Sequence, residues 1–181
     1  MTNHPARTVW EGRQIARAVA RMAHQIVEAN AGGHDLVLLG IPTRGVLLAR
    51  RLADAIRSIE GVDVPVGELD ITMYRDDLRR QPTRAVGRTS IPGPIDDRVV
   101  IVVDDVLFTG RTVAASLDAL KDLGRPRSVQ LAVLIDRGHR QLPIQADHVG
   151  KLLPSPPEAR VYVKMCEIDD VDAVTISMPE A

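Results

Sequence analysis

Five consecutive β-branched residues, Val99 to Val103, constrain the fold of this 181-residue chain more than any other feature. β-branched side chains favour extended backbone, and an uninterrupted apolar run has no polar face to turn toward water. Such strands are buried on both faces in parallel sheets that carry helices on each side. The run therefore predicts the central strand of a parallel α/β sheet.

Apolar spacing elsewhere alternates between helix and strand periods. Helices are predicted at residues 11–30 and 46–57, and in a segment whose apolar face is Val113, Leu117 and Leu120 and which Gly124 and Pro126 end. Strands are predicted at residues 36–39, 62–66, 69–74, 129–135, 146–149, 160–167 and 171–177. Because no linker or repeat interrupts this alternation, we expect one α/β domain, residues 1–181, with a mostly parallel sheet flanked by helices.

The composition is that of a globular protein that does not act through bulk charge. Hydrophobic residues make up 45%, charged residues 26%, and the formal net charge is −1, which argues against nucleic-acid binding through overall positive charge. No apolar run approaches the roughly 18 residues of a membrane span, and residues 1–10 lack a signal peptide's apolar stretch. We therefore expect a cytoplasmic protein with no membrane partner. The single cysteine, Cys166, lies in an alternating segment and is predicted to be a buried structural thiol.

Two acids end the central strand. Asp104 and Asp105 follow it directly, and a small-residue turn, Thr109 to Thr112, then opens a helix. Free backbone N–H groups at a helix N-terminus can hold a phosphate, and Gly110 lets the backbone approach it closely. Adjacent carboxylates would repel that phosphate, so they should accept hydrogen bonds from a neighbouring polyol. The pattern indicates a site for a ribose 5-phosphate.

Other classes of protein also end an apolar strand in two acids, among them P-loop NTPases and phosphoacceptor domains. The P-loop pattern fails here, because the nearest candidate, residues 40–45, has no lysine and continues with Val46 and Leu47. The dinucleotide-binding pattern Gly-x-Gly-x-x-Gly is also absent from the sequence. A purely structural or metal-only acid pair remains open at this point.

The stretch from Val99 to Thr112 resembles the signature of type I phosphoribosyltransferases, which use 5-phosphoribosyl-1-pyrophosphate (PRPP). The resemblance implies that Asp104 and Asp105 meet the ribose hydroxyls and contact, through water, a Mg²⁺ ion bound with PRPP. It further implies that Thr109, Gly110, Arg111 and Thr112 hold the 5′-phosphate, that Val106, Leu107 and Phe108 adjoin the substrate, and that Thr43, Arg44 and Gly45 form the pyrophosphate loop. The implied catalytic residues are Asp104, Asp105, Arg44 and Arg75.

Further segments resemble the PyrR family, bifunctional proteins that regulate the pyrimidine operon and have uracil phosphoribosyltransferase activity. They are residues 40–45 (Gly-Ile-Pro-Thr-Arg-Gly), 69–78 (Leu-Asp-Ile-Thr-Met-Tyr-Arg-Asp-Asp-Leu), 134–140 (Leu-Ile-Asp-Arg-Gly-His-Arg) and 21–24 (Arg-Met-Ala-His). The resemblance implies transfer of phosphoribosyl from PRPP to a uracil nitrogen, giving UMP and pyrophosphate. It also implies UMP or UTP as sensed ligands and a homodimer or homotetramer.

The segment that follows Tyr74 is rich in Arg, Pro, Gly and Thr and is predicted to be a flexible loop, residues 75–94. The resemblance implies that this segment is the lid of the enzyme and that its arginines can close over the pyrophosphate; they are Arg75, Arg79, Arg80, Arg84 and Arg88. Solvated loop arginines are the alternative, and only Arg75, which lies inside the family motif, is predicted to act in the reaction. The resemblance also places Asp136 and Arg137 beside the base and Val161 at the edge of the nucleotide pocket. An ordinary salt-bridged Arg137 remains the alternative.

Basic residues form a stripe on the first predicted helix. At about 100° per residue, Arg13, Arg17, Arg21 and His24 fall opposite the apolar positions. In PyrR proteins such a surface binds the leader of pyrimidine messenger RNA, and the implied RNA-binding residues are Arg17, Arg21, His24, His139, Arg140 and Lys151. A solvated helix face is the alternative. Gln141 and Gln145 stand where the family pattern has Glu and Arg, which lowers the positive charge available for RNA.

Several functions therefore remain open. The first is a uracil phosphoribosyltransferase that also regulates pyrimidine genes. The second is mainly an RNA-binding attenuator that senses UMP, UTP or PRPP with weak catalysis, and the third is an enzyme that has lost RNA binding. A purine or orotate transferase is disfavoured by the segment from Asp136 to Arg140.

Overall fold

A computed structural model describes residues 6–76 and 89–179 of the chain. The elements, in chain order, are β1 (Arg7–Glu11), α1 (Gly12–Ala29), β2 (Leu36–Gly40), α2 (Arg44–Glu60), β3 (Val66–Glu68), a 3-10 turn (Thr72–Tyr74), β4 (Val99–Leu107), α3 (Arg111–Leu123), β5 (Ser128–Asp136), β6 (His148–Leu152), β7 (Arg160–Lys164), α4 (Cys166–Asp169) and β8 (Ala173–Ser177). Most of the predicted lid, with Arg79, Arg80, Arg84 and Arg88, lies outside the described residues.

The main sheet has five parallel strands in the order β3-β2-β4-β5-β6. Alternate residues of β4 face two separate apolar clusters, and every residue from Val99 to Val103 is buried. Helices α1 and α2 cover one face of the sheet, and α3 covers the other. The predicted parallel α/β sheet flanked by helices is confirmed. In the described part of the chain, no helix is long and apolar enough to cross a membrane.

A second sheet of three antiparallel strands, in the order β1-β8-β7, joins the two ends of the chain. Neither β1 nor this sheet was predicted from the sequence. Strand β1 has five residues, of which the first and last are charged, so its apolar alternation is too short to be noticed. Its pairing with a strand from the far end of the sequence depends on tertiary structure.

The prediction of two strands at residues 62–66 and 69–74 is largely wrong. Only Val66–Glu68 pairs with β2. Beyond it, Asp70 Oδ1 accepts hydrogen bonds from the Thr72 N–H at 2.8 Å and from the Thr72 hydroxyl at 2.6 Å. This local capping by an aspartate favours a turn over a strand.

Three other predictions need correction. Cys166 is exposed at the start of α4 rather than buried in a strand, because Asp169 and Asp172 accept hydrogen bonds from the Met165 and Cys166 N–H groups and turn the chain there. Leu117 is 38% exposed, since the buried face of α3 runs through Val113 and Ser116 instead. The strand predicted at residues 146–149 lies later, at His148–Leu152, where it pairs with β5.

Candidate active site

The carboxyl ends of β2 and β4 lie side by side and bring two predicted segments together. Gly40 pairs with Val103, and the Ile41 N–H donates to the Val103 carbonyl at 2.9 Å. A Cβ on Gly45 would lie 2.4 Å from the Val103 carbonyl oxygen, so the first turn of α2 rests directly on β4. The peptide bond between Pro42 and Thr43 is cis. The segment from Thr43 to Gly45 therefore lies beside the acid pair.

The acid pair occupies the last part of β4. Asp104 is almost fully buried, and its Oδ1 accepts a hydrogen bond from the Asp105 N–H at 2.9 Å. Burial raises the pKa of Asp104 well above its ordinary value, and the negative charge of Asp105 raises it further. The carboxylate form thus lacks stabilisation in the free protein, and hydroxyl donors or a cation would supply it.

The turn between β4 and α3 leaves the N-terminus of α3 open. Gly110 has φ of +89°, a left-handed conformation that glycine adopts without strain. Gly110 has no side chain to cap the helix, and the Arg111 N–H donates to Thr109 Oγ1 at 3.4 Å. No side-chain acceptor among the described residues takes the N–H groups of Thr112 and Val113, so they remain available to a ligand. Positive potential at a helix N-terminus favours an anion at this position.

A cavity of about 310 Å³, here called the phosphate cavity, lies at this helix end. Seven consecutive residues expected around the substrate all line the cavity; they are Val106, Leu107, Phe108, Thr109, Gly110, Arg111 and Thr112. Asp104, Arg75 and Asp76 complete its polar lining. Arg111 is paired with Asp76 and donates through Nε to Gln141 Oε1 at 2.9 Å. Gln141 does not line the phosphate cavity but holds the Arg111 side chain beside it.

A second cavity of about 400 Å³ adjoins the first and shares Arg75, Asp104, Val106 and Thr112 with it. We call it the acidic cavity, because four carboxylates line it; they belong to Glu68, Asp70, Asp104 and Asp105. Thr43 lines its far side. Glu68 and Asp70 were not expected at the site, although their spacing of two residues at a strand end was a signal that they share a face.

Arg44 does not line either cavity and instead binds a residue of the C-terminal segment. Its guanidinium donates to the Asp169 carboxylate from Nη2 at 2.8 and 3.0 Å and from Nε at 3.3 Å. The Met165 N–H and the Arg44 guanidinium together lower the pKa of Asp169. This pair fixes the start of α2 to the turn between β7 and β8.

Arg137 lies next to the phosphate cavity but does not line it. It is buried, its guanidinium carbon lies 4.1 Å from the centroid of the Phe108 ring, and burial lowers its pKa. It donates to the carbonyls of Pro156 and Ala159, each at 2.8 Å. Among the described residues its partners are carbonyl oxygens, so the alternative of a salt-bridged Arg137 is wrong.

Asp136 and Val161 also lie outside the lining of the two cavities. Asp136 pairs with Arg140, which also donates to the Phe108 and Ile144 carbonyls. Val161 lies on β7 and packs against the main core. Together with Arg137, these contacts shape the wall behind Phe108.

The basic stripe of α1 continues onto β6. Arg17, Arg21 and His24 are exposed, and Arg21 donates to the Gly150 carbonyl. The neighbouring Lys151 ammonium lies 5.3 Å from the centroid of the Trp10 ring. His139 donates from Nε2 to the Ser155 carbonyl, and Arg140 is engaged as described above, so these two bind the wall of the pocket.

Comparison with known proteins decides the family. Residues 7–159 match the model of the phosphoribosyl transferase domain. The chain is 60% identical over 177 residues to the bifunctional protein PyrR of Streptomyces coelicolor, covering 97% of this chain and 92% of that protein. It is 53% identical over 179 residues to the PyrR protein of Deinococcus radiodurans, covering 97% of each. The chain belongs to the PyrR family.

Solved structures show the same fold at low sequence identity. The hypoxanthine-guanine phosphoribosyltransferase of Leishmania tarentolae, in complex with GMP, superposes with a TM-score of 0.74 at 18% identity and covers 96% of this chain and 97% of that one. The hypoxanthine phosphoribosyltransferase of Trypanosoma cruzi gives 0.72 at 19% identity, with the same coverage. The predicted PyrR family and type I phosphoribosyltransferase fold are confirmed.

Proposed function

We propose that this PyrR-family protein transfers the phosphoribosyl group of PRPP to uracil and that it also regulates pyrimidine genes in response to pyrimidine nucleotides. The observation that carries the enzymatic part is the position of the acid pair. Asp104 lies on the wall shared by two adjoining cavities, between an open helix N-terminus and the segment from Thr43 to Gly45. The helix N-terminus, the acid pair and the segment from Thr43 to Gly45 thus follow one another in space as do the 5′-phosphate, the ribose and the pyrophosphate of PRPP.

In this proposal the phosphate cavity takes the 5′-phosphate. The free N–H groups at the start of α3 and the hydroxyls of Thr109 and Thr112 donate to it, and Arg111 adds positive charge. Asp104 and Asp105 accept hydrogen bonds from the two ribose hydroxyls. This places C1′ of the ribose between the two cavities.

The acidic cavity takes the pyrophosphate. Pro42 and Thr43 line it on the side of α2, and Arg75 lines both cavities. Arg44 lines neither cavity, but it begins α2 directly after Thr43, and its contacts with Asp169 use only Nε and Nη2. We propose that it adds positive charge to the pyrophosphate site from the edge of the cavity. The C1′–O bond breaks and pyrophosphate leaves with its electron pair, while a C1′–N bond to uracil forms and the uracil nitrogen releases its proton to solvent. Cationic groups that stabilise the departing pyrophosphate therefore lower the barrier.

The base lies against Phe108, on the wall built by Asp136, Arg137 and Val161. Arg137 acts there by holding the backbone at residues 156–159, so that its role is to shape the pocket rather than to touch the nucleotide. Backbone groups of this segment then read the pyrimidine edge.

A Mg²⁺ ion bound with PRPP is part of the proposal. Mg²⁺ prefers oxygen ligands and keeps several waters while using one or two carboxylates. The carboxylate oxygens of Asp104 and Asp105 fit contacts through water, since both residues line the acidic cavity. When bound, the ion neutralises charge on the leaving pyrophosphate. We also propose a cytoplasmic homodimer or homotetramer, as the family resemblance implies.

The enzymatic proposal predicts a narrow base preference. Purified protein incubated with PRPP, Mg²⁺ and a panel of bases should release pyrophosphate and form nucleotide with uracil, and not with hypoxanthine, guanine or orotate. Pyrophosphate release and nucleotide formation are measured together. Turnover of a purine or orotate would contradict the uracil assignment, and nucleotide binding without turnover would favour a sensor with weak catalysis.

The regulatory part is supported by the exposed basic stripe on α1. Arg17, Arg21 and His24 are exposed on one face, and Lys151 lies on the adjacent strand β6. His139 and Arg140 belong to the same proposal, but their contacts with the pocket wall link them more directly to nucleotide binding. A surface of this kind would bind a leader RNA through its phosphates.

Replacing Arg13 and Arg17 by alanine should weaken binding to a pyrimidine leader RNA. Each lost phosphate contact lowers the slope of log K against log salt by about one. RNA binding is titrated at several salt concentrations, with Arg57→Ala as the control, because Arg57 is an exposed arginine on α2. If the unmodified chain, the double variant and Arg57→Ala bound the RNA with equal affinities and equal salt slopes, the stripe would be a solvated helix face and the protein an enzyme without RNA binding.

A further inference from the structure

The acidic cavity holds more negative charge than the proposed ribose contacts use. Asp104 and Asp105 are assigned to the ribose and to contacts with Mg²⁺ through water, which leaves Glu68 and Asp70 on the same lining without a function. PRPP is itself a polyanion, and each extra carboxylate in its cavity repels it. Arg75 is the one cationic side chain among the described residues that line this cavity. A substrate anion is therefore favoured there only when further positive charge enters with it.

Asp70 has an additional feature that separates it from an ordinary surface acid. Its Oδ1 accepts two hydrogen bonds from Thr72, from the N–H at 2.8 Å and from the hydroxyl at 2.6 Å. Its Oδ2 is buried and has no hydrogen-bond donor among the described residues. A buried carboxylate oxygen without a partner is unfavourable, because it has lost water and gained nothing in exchange.

We propose that Asp70 binds the divalent cation that enters with PRPP, through Oδ2, either directly or through one water. Thr72 holds the other oxygen and so orients the carboxylate. Mg²⁺ bound to substrate phosphates uses one or two carboxylates, and Asp70 meets that requirement on the pyrophosphate side of the cavity. This inference rests on the proposed function and adds Asp70, on the pyrophosphate side, to the contacts that Asp104 and Asp105 make with the ion through water.

The test is metal binding rather than turnover. Mn²⁺ binding to the protein with PRPP present is followed by electron paramagnetic resonance of the free ion, for the unmodified chain, for Asp70→Asn and for Asp63→Asn. Asp63 is exposed and supplies a matched change of charge. We expect Asp70→Asn to weaken Mn²⁺ binding in the PRPP complex by about tenfold or more, as loss of groups that support a metal does. Asp63→Asn should leave it unchanged.

PRPP binding is also measured in the presence of a chelator, where the expected effect of Asp70→Asn is the opposite. Without metal, removal of a carboxylate reduces repulsion, so Asp70→Asn should bind PRPP at least as tightly as the unmodified chain. This result also shows that the variant is folded. If Asp70→Asn bound Mn²⁺ normally, or tightened PRPP binding equally with and without Mn²⁺, the metal role of Asp70 would be wrong while the proposed function stood. If the unmodified chain bound no PRPP even with Mn²⁺, the proposed function itself would fail, and this inference with it.

Discussion

Replacing both Asp104 and Asp105 by asparagine is expected to lower kcat/KM for PRPP by roughly 1,000-fold. Each carboxylate accepts a hydrogen bond from a ribose hydroxyl in the proposed complex, and a hydrogen bond to a charged group contributes about 2 kcal/mol. Two such losses correspond to about three powers of ten in rate. The measurement is initial velocity at varied PRPP, with Asp118→Asn as the control, since Asp118 is an exposed acid on α3.

The single change Asp104→Asn should also stabilise the fold. The folded-state pKa of Asp104 is raised, so the folded protein holds this proton more tightly than the unfolded chain does. The stability of the unmodified protein therefore falls as pH rises through that raised pKa, and asparagine removes this loss. Urea unfolding at several pH values should show the Asp104→Asn variant more stable by about 1 kcal/mol at neutral pH and no advantage in acid.

Unchanged turnover with the double variant of Asp104 and Asp105 would reject the ribose assignment, whatever the stability of the single variant.

Replacing Arg137 by alanine is expected to destabilise the protein by about 3 kcal/mol, because buried carbonyl oxygens lose a charged donor and Phe108 loses the guanidinium that covers it. Lysine should recover little of this, since an ammonium cannot reproduce the planar arrangement of donors or the stacked contact. UMP binding should weaken in both variants. Urea unfolding and UMP titration are measured on the same samples.

Arg160→Ala is the matched control for Arg137, because Arg160 is an exposed arginine near the same segment. It should leave stability and UMP binding nearly unchanged. If Arg137 were instead a nucleotide ligand, Arg137→Lys would keep the stability of the unmodified chain and lose only UMP affinity. That outcome would contradict the role as a support of the pocket wall.

The central features of this protein were readable in short stretches of sequence. The β-branched run from Val99 to Val103 has only one low-energy environment, a strand covered on both faces, and its burial is complete. The turn from Thr109 to Thr112 places a glycine where the backbone has positive φ and must approach its neighbours closely. In both cases the determining interactions are local, so the sequence pattern carries the information.

Apolar periodicity failed where a carboxylate two to six residues away binds the backbone and turns it. The strand predicted through Cys166 ends early because Asp169 and Asp172 bind the N–H groups of the turn. The strand predicted at residues 69–74 is replaced by a turn that Asp70 caps through Thr72. An aspartate that caps a turn and an aspartate that faces water are the same letter in the sequence, so the sequence pattern alone cannot distinguish the two.

By itself the sequence determined the fold class, the family and the acid pair, because each depends on residues that are contiguous or regularly spaced. Only the tertiary structure decided which side chains face the substrate. It turned Arg44 toward Asp169, buried Arg137 against Phe108, and brought Glu68 and Asp70 to the cavity that holds Asp104. These contacts join segments far apart in the chain, and their geometry is set by the packing of parallel strands whose carboxyl ends meet at one edge.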